Sequence, residues 1–113
     1  MFILKGYLTK FQPLANTQHV TQRCERLQIA NRLIQSENAK VITIAIVDKG
    51  HINGDEVHVI YNNGVVKIYN AITSKFITVL IARIPQIERY NIQITATMRK
   101  KVNEHIKQGY NNI

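Results

Sequence analysis

Glu56-Val57-His58-Val59-Ile60-Tyr61-Asn62-Asn63-Gly64-Val65-Val66-Lys67-Ile68-Tyr69-Asn70 is the stretch on which the fold turns. Two runs rich in Val, Ile and Tyr flank an Asn-Gly pair, which readily takes the positive φ that a tight antiparallel hairpin needs. Upstream, Val41-Ile42-Thr43-Ile44-Ala45-Ile46-Val47 is a β-branched run closed by Asp48-Lys49-Gly50. Gly50 to Asp55 then supplies a turn, with Gly54 able to take positive φ. Downstream, Phe76 to Ala82 follows the short Ala71 to Lys75 loop. Connections this short join antiparallel neighbours, so the expectation is a meander of three or four strands.

On either side of this block the apolar period changes. Between Asn16 and Ser36, Val20, Cys24, Leu27 and Ile34 fall on one helical stripe, with Asn16 or Thr17 as cap and a break between two short helices expected at Gln28-Ile29-Ala30. A short strand is expected within Phe2 to Leu8. Thr95 to Gly109 reads as a basic C-terminal helix, about 95–108, because Lys107 precedes a glycine stop. Its Met98, Val102 and Ile106 form a narrow stripe suited to the sheet or to a partner. Pro13 and Pro85 are read as lying in connecting stretches, and no repeat or linker divides the chain. The fold expected is α+β over residues 1–113 as one domain, an N-terminal helix or helix pair on the meander with a basic C-terminal helix.

Composition agrees with one core. Of 113 residues, 45% are apolar and 19% charged, well away from disordered chains. Cys24 is the single cysteine, which excludes an intramolecular disulfide and a Cys-based zinc cluster. Met1 to Leu8 lacks the long apolar run of an export signal. The runs Val41 to Val47 and Ile77 to Ala82 fall short of the roughly 20 residues that cross a bilayer. A cytoplasmic protein with no membrane partner is expected. Fifteen Lys and Arg against seven Asp and Glu give a net charge of +8, a field that draws in polyanions, RNA first among them.

No phosphate-binding loop, dinucleotide fingerprint, nucleophile elbow or His-Glu-x-x-His pair is present. The acidic residues Glu25, Glu37, Asp48, Asp55, Glu56, Glu88 and Glu104 are scattered, so neither a metal nor a cofactor is expected. One constellation stands out. At about 100° per residue, His19, Arg23, Arg26 and Ala30 share an arc of the first helix, beside the apolar stripe. Cations spaced this way repel one another, so an anion or an acidic neighbour such as Glu25 is expected to face them. His with Arg suits RNA cleavage: imidazole moves a proton near neutral pH, guanidinium holds the phosphate, and the 2′-hydroxyl is the nucleophile.

Gln18-His19-Val20-Thr21-Gln22-Arg23-Cys24-Glu25-Arg26, then the meander, then Phe76-Ile77-Thr78-Val79-Leu80, resembles the small ribonuclease-toxin superfamily of barnase, EndoU nucleases, colicin RNases and RelE toxins. The likeness is greatest to its short bacterial and phage domains and covers roughly His19 to Arg83. It implies that His19 is a general acid or base, Arg23 a phosphate ligand and Thr78 a strand hydroxyl that orients substrate. Arg26 either joins the RNA surface or pins the helix to the sheet. Phe76, Thr78 and Leu80 are expected to share one face. His51 and His58 are read as exposed, with a second catalytic histidine as the alternative for each. Lys67 is read as a solvated strand lysine that could contact phosphate. Arg83, Arg89 and Tyr90 extend the RNA surface or form a basic loop, Tyr90 stacking on a base. Arg99, Lys100 and Lys101 add backbone contacts.

Three functions follow. The first is a metal-independent endoribonuclease, a toxin of a bacterial or phage system, with an antitoxin or inhibitor protein as further partner. The second is a non-catalytic inhibitor or nucleic-acid-binding protein on the same fold. The third is a DNA-binding accessory protein that uses the C-terminal helix.

Overall fold

The structure, a computed structural model, describes residues 2–3, 21–48 and 54–112. The expected helix cap at Asn16 or Thr17, the rest of the Phe2 to Leu8 strand and His51 lie outside the described residues. The elements in order are β1 (Phe2–Ile3), α1 (Thr21–Ser36), β2 (Val41–Val47), β3 (Glu56–Tyr61), β4 (Val65–Asn70), β5 (Phe76–Ile81), α2 (Ile84–Glu88), α3 (Ala96–Lys107) and a 3-10 turn at Tyr110–Asn112. The five strands run in sequence order and every neighbouring pair is antiparallel. An α+β meander is what the β-branched runs and their short connections dictate.

The hairpin falls where Asn62-Asn63-Gly64 predicts it, in a detailed geometry of its own. The Gly64 N–H donates to Tyr61 O at 3.1 Å and Gly64 has φ +88. Among the three loop residues only this glycine is left-handed. That is the three-residue loop in which a turn is followed by a glycine bulge. Asn63, only 2% exposed, anchors the loop. Its Oδ1 accepts from Val65 N–H at 3.3 Å, and its Nδ2 donates to Glu37 Oε1 at 2.8 Å.

The sheet carries helices on both faces. Ala45, Ile60, Val66 and Ile68 pack with Ile87 of α2 and with Met98 and Val102 of α3, so the stripe on the C-terminal helix is spent on the sheet. On the opposite face Val65, Val79 and Ile81 meet Ala30 and Leu33 of α1. α1 is one uninterrupted helix from Thr21 to Ser36, which corrects the expected break at Gln28-Ile29-Ala30. Ala30, with 0% exposure, packs in one cluster with Val65, Val79 and Ile81, so the middle of the helix is held against the sheet.

Two-sided cover also corrects the readings of His58 and Lys67. The burial of β3 and β4 is nearly continuous along each strand, as in a sheet with no solvent face. His58 is 7% exposed and Lys67 6%. Lys67 stands between Val59 and Val79 in the register, its amine 5.8 Å from the centre of the Tyr61 ring. Burial lowers its pKa. It is not the solvated strand lysine that alternation suggests.

A register shift between Ile68 and Tyr69 corrects the reading of β5. Phe76 packs edge-on to Tyr69 at 5.7 Å, whereas Leu80 lies on the α2 and α3 side. Phe76 and Leu80 therefore sit on opposite faces. The segment after β5 is also a helix in part: α2 places Pro85 in its first turn, where the missing N–H costs nothing. Arg83 and Arg89 are the caps of that helix, and not residues of an irregular basic loop.

One polar network stitches the layers. His105 of α3, 1% exposed, sets Nε2 3.0 Å from both carboxylate oxygens of Glu37. Glu37 follows the last residue of α1 and also accepts from Asn63. A single carboxylate thus joins α1, the hairpin and α3.

Candidate functional site

The polar chemistry of the described residues gathers where β5 meets α2. Arg26 projects from α1 one turn before buried Ala30, so its side chain is directed at the sheet. Its Nη2 donates to Thr78 Oγ1 at 3.3 Å. The helix is pinned to the last strand as one of the two readings of Arg26 expects. Beside this bond lies a cavity of about 140 Å³, walled by Arg26, Leu80, Ile81, Arg83, Gln86 and Asn111 together with Tyr110. The Nε–H of Arg26 and Oδ1 of Asn111 are buried, and neither has a hydrogen-bond partner among the described residues. Asn111 Nδ2 donates to Ile81 O, which holds the 3-10 turn against β5.

A second, larger cavity of about 310 Å³ adjoins it. Leu80 and Gln86 line both, and Val47, Glu56, His58, Ile68, Arg89 and Tyr90 complete the second. His58 sits at its centre of gravity chemically, with Nδ1 2.6 Å from Tyr90 Oη and Nε2 2.9 Å from Glu56 Oε1. The arrangement that satisfies all three groups has the Tyr90 O–H donating to Nδ1 and the Nε2–H donating to Glu56. The two rings meet edge to face at 5.6 Å. Burial and the charge of Glu56 push the Tyr90 phenol up to about 12, against a smaller opposite pull from Arg89. Tyr90 is therefore a fixed wall of this cavity and not part of an irregular basic loop.

No family model, curated protein or solved structure matches this chain.

The sites named from sequence separate as follows. Thr78 and Arg26 come together, with Arg83 on the same cavity. Arg89 and Tyr90 join the adjoining cavity. His19 lies outside the described residues, and of Arg23 only the backbone, within α1, is described. Arg99 and Lys100 are exposed along α3, where they share a shallow groove with Lys107. Lys101 is half-buried on another side of that helix. Among the described residues no three His, Cys, Asp or Glu side chains cluster as metal ligands do, and no helix is long and apolar enough to cross a membrane. Glu56 and its pairing with His58 had a local signal, a spacing of two that puts both on one strand face. Their meeting with Tyr90 had none, since 32 residues separate the ring from His58.

The buried phenols set an alkaline limit on stability. Burial raises Tyr61, burial and then Tyr61 raise Tyr69, and Tyr90 rises to about 12, all from an ordinary value of 10.0. The folded state thus holds these protons more tightly than the unfolded chain does. Their contribution is fully present below pH 10 and is lost as pH rises through the folded values. Denaturant melts should hold their midpoint on the acid side of this window and lose it steadily beyond. Spectrophotometric titration of the native protein should show tyrosines ionising late, and ordinary titration of all five would contradict the assignment.

Proposed function

We propose that this chain binds RNA and holds a backbone phosphate in the cavity between Arg26 and Arg83. The observation that carries this reading is the convergence of two guanidinium side chains, Arg26 and Arg83, on the walls of one cavity. A phosphate oxygen is the acceptor that a planar guanidinium takes best. The net charge of +8 supplies the long-range attraction. Arg99 and Lys100 add contacts to the backbone that carry no sequence preference.

Cleavage without a metal is the finer reading. It rests on the resemblance to the ribonuclease toxins and is favoured by the Arg26–Thr78 bond, because the helix that carries Arg23 and Arg26 touches the last strand there. In this reading His19 moves the proton, Arg23 holds the phosphate and the RNA's own 2′-hydroxyl attacks. A toxin acting in the cytoplasm with an antitoxin partner is the biological form it takes, and a non-catalytic inhibitor on the same fold is the alternative. Incubation of total RNA in EDTA separates them. Wild type should cleave, His19→Ala should lose about a hundredfold or more of the rate, and Arg26→Ala should weaken RNA binding about tenfold. Loss of binding in Arg26→Ala with no cleavage by wild type gives the binding-only protein. Undiminished binding in Arg26→Ala refutes the phosphate site.

A further inference from the structure

We propose that the cavity of about 310 Å³ between the sheet and α2 receives one base of the RNA strand, the base next to the phosphate held by Arg26 and Arg83. The proposal rests on the RNA reading and adds what part of the strand the neighbouring cavity recognises. Leu80 and Gln86 are walls of both cavities, so the two are immediate neighbours on either side of these side chains. A strand that sets a phosphate in one is thereby offered the other for an adjacent base.

The lining selects a flat uncharged ring. Val47, Ile68 and Leu80 give it apolar surface, and Tyr90 gives an aromatic wall, the combination on which bases are held in single strands. His58 fixes Tyr90 by the 2.6 Å bond to its hydroxyl. The wall is therefore in place before the ligand arrives, and little rotamer entropy is lost on binding. Glu56 lines the same cavity, and its carboxylate repels a second phosphate while tolerating a neutral base. Gln86 Oε1 accepts from Arg83 N–H at 2.7 Å. Its amide N–H groups remain to donate to a base carbonyl or ring nitrogen. Arg89 at the rim is placed for the following phosphate.

The test compares two single-stranded oligoribonucleotides of equal length and charge, one carrying bases and one abasic throughout. Wild type should bind the base-bearing strand about tenfold more tightly. Val47→Phe fills the cavity and Tyr90→Leu removes the aromatic wall. Both should bring the ratio close to one and leave affinity for the abasic strand unchanged, with circular dichroism verifying the fold. Equal affinity of wild type for the two strands overturns the pocket while leaving the phosphate site standing, and so does a ratio that survives both substitutions. If wild type binds neither strand, the RNA reading itself fails, and the pocket falls with it.

Discussion

Gly64→Val is expected to leave the chain mostly unfolded under conditions where wild type is native. Gly64 has φ +88, a left-handed conformation that costs an L-residue about 1–2 kcal/mol and a β-branched one more. The packing term is larger. A Cβ at this position would stand 2.6 Å from Val102 Cγ2 and 3.5 Å from Ile87 Cδ1, both on residues with 0% exposure. Neither neighbour can retreat without displacing α3 or α2 from the sheet, so overpacking adds about 1–3 kcal/mol. A loss of about 3–5 kcal/mol takes most of the stability of a domain this size. Thermal denaturation followed by circular dichroism should show a drop of tens of degrees, and Gly64→Ala should show most of it. A midpoint within a few degrees of wild type would mean that the hairpin does not press on α3.

Glu37→Ala is the second large effect. Its carboxylate accepts from His105 Nε2 at 3.0 Å and from Asn63 Nδ2 at 2.8 Å. Both partners are buried, and water cannot replace the lost acceptor without entering the core. Breaking a buried pair from one side costs several kcal/mol because the other side is left unpaired. The Glu37 side chain keeps 15% of its exposure, which moderates the figure to about 2–4 kcal/mol. Glu37→Gln keeps an acceptor oxygen and should lose about half as much. Urea unfolding measures both, and equal effects of Ala and Gln would show that the hydrogen bonds are not what matters.

How far these features were legible depends on sequence separation. Strands β2 to β5 and the hairpin come from local runs and one Asn-Gly pair, and α3 from Thr95, whose hydroxyl caps Met98 N–H at 3.1 Å, and from Gly109 with φ +77. Pro85 suits a connection and a helix start equally, and it stands in the first turn of α2. Lys67 and His58 were misread because alternation tells which face a residue is on but not whether a helix covers that face. Here α1 covers one and α2 with α3 the other. His105 was passed over in the run Asn103-Glu104-His105, although it lies three residues after buried Val102 and its partner Glu37 is 68 positions away. In the candidate site, the sequence offers Arg26 as a pin to the sheet without naming its partner, and the partner proves to be Thr78. The Glu56–His58–Tyr90 chain depended on where α2 turns back over the sheet, and no local pattern encodes that.

The measurement that bears most directly on the phosphate site is the salt dependence of RNA affinity in wild type and in Arg26→Ala. A protein that binds through backbone phosphates loses affinity linearly on a log–log plot against salt, with a slope of about 0.7 per phosphate for a single strand. Wild type should show a steep slope, and Arg26→Ala should show weaker binding with the slope reduced by about one phosphate. A flat dependence in wild type, or an identical slope and affinity in Arg26→Ala, would contradict the account.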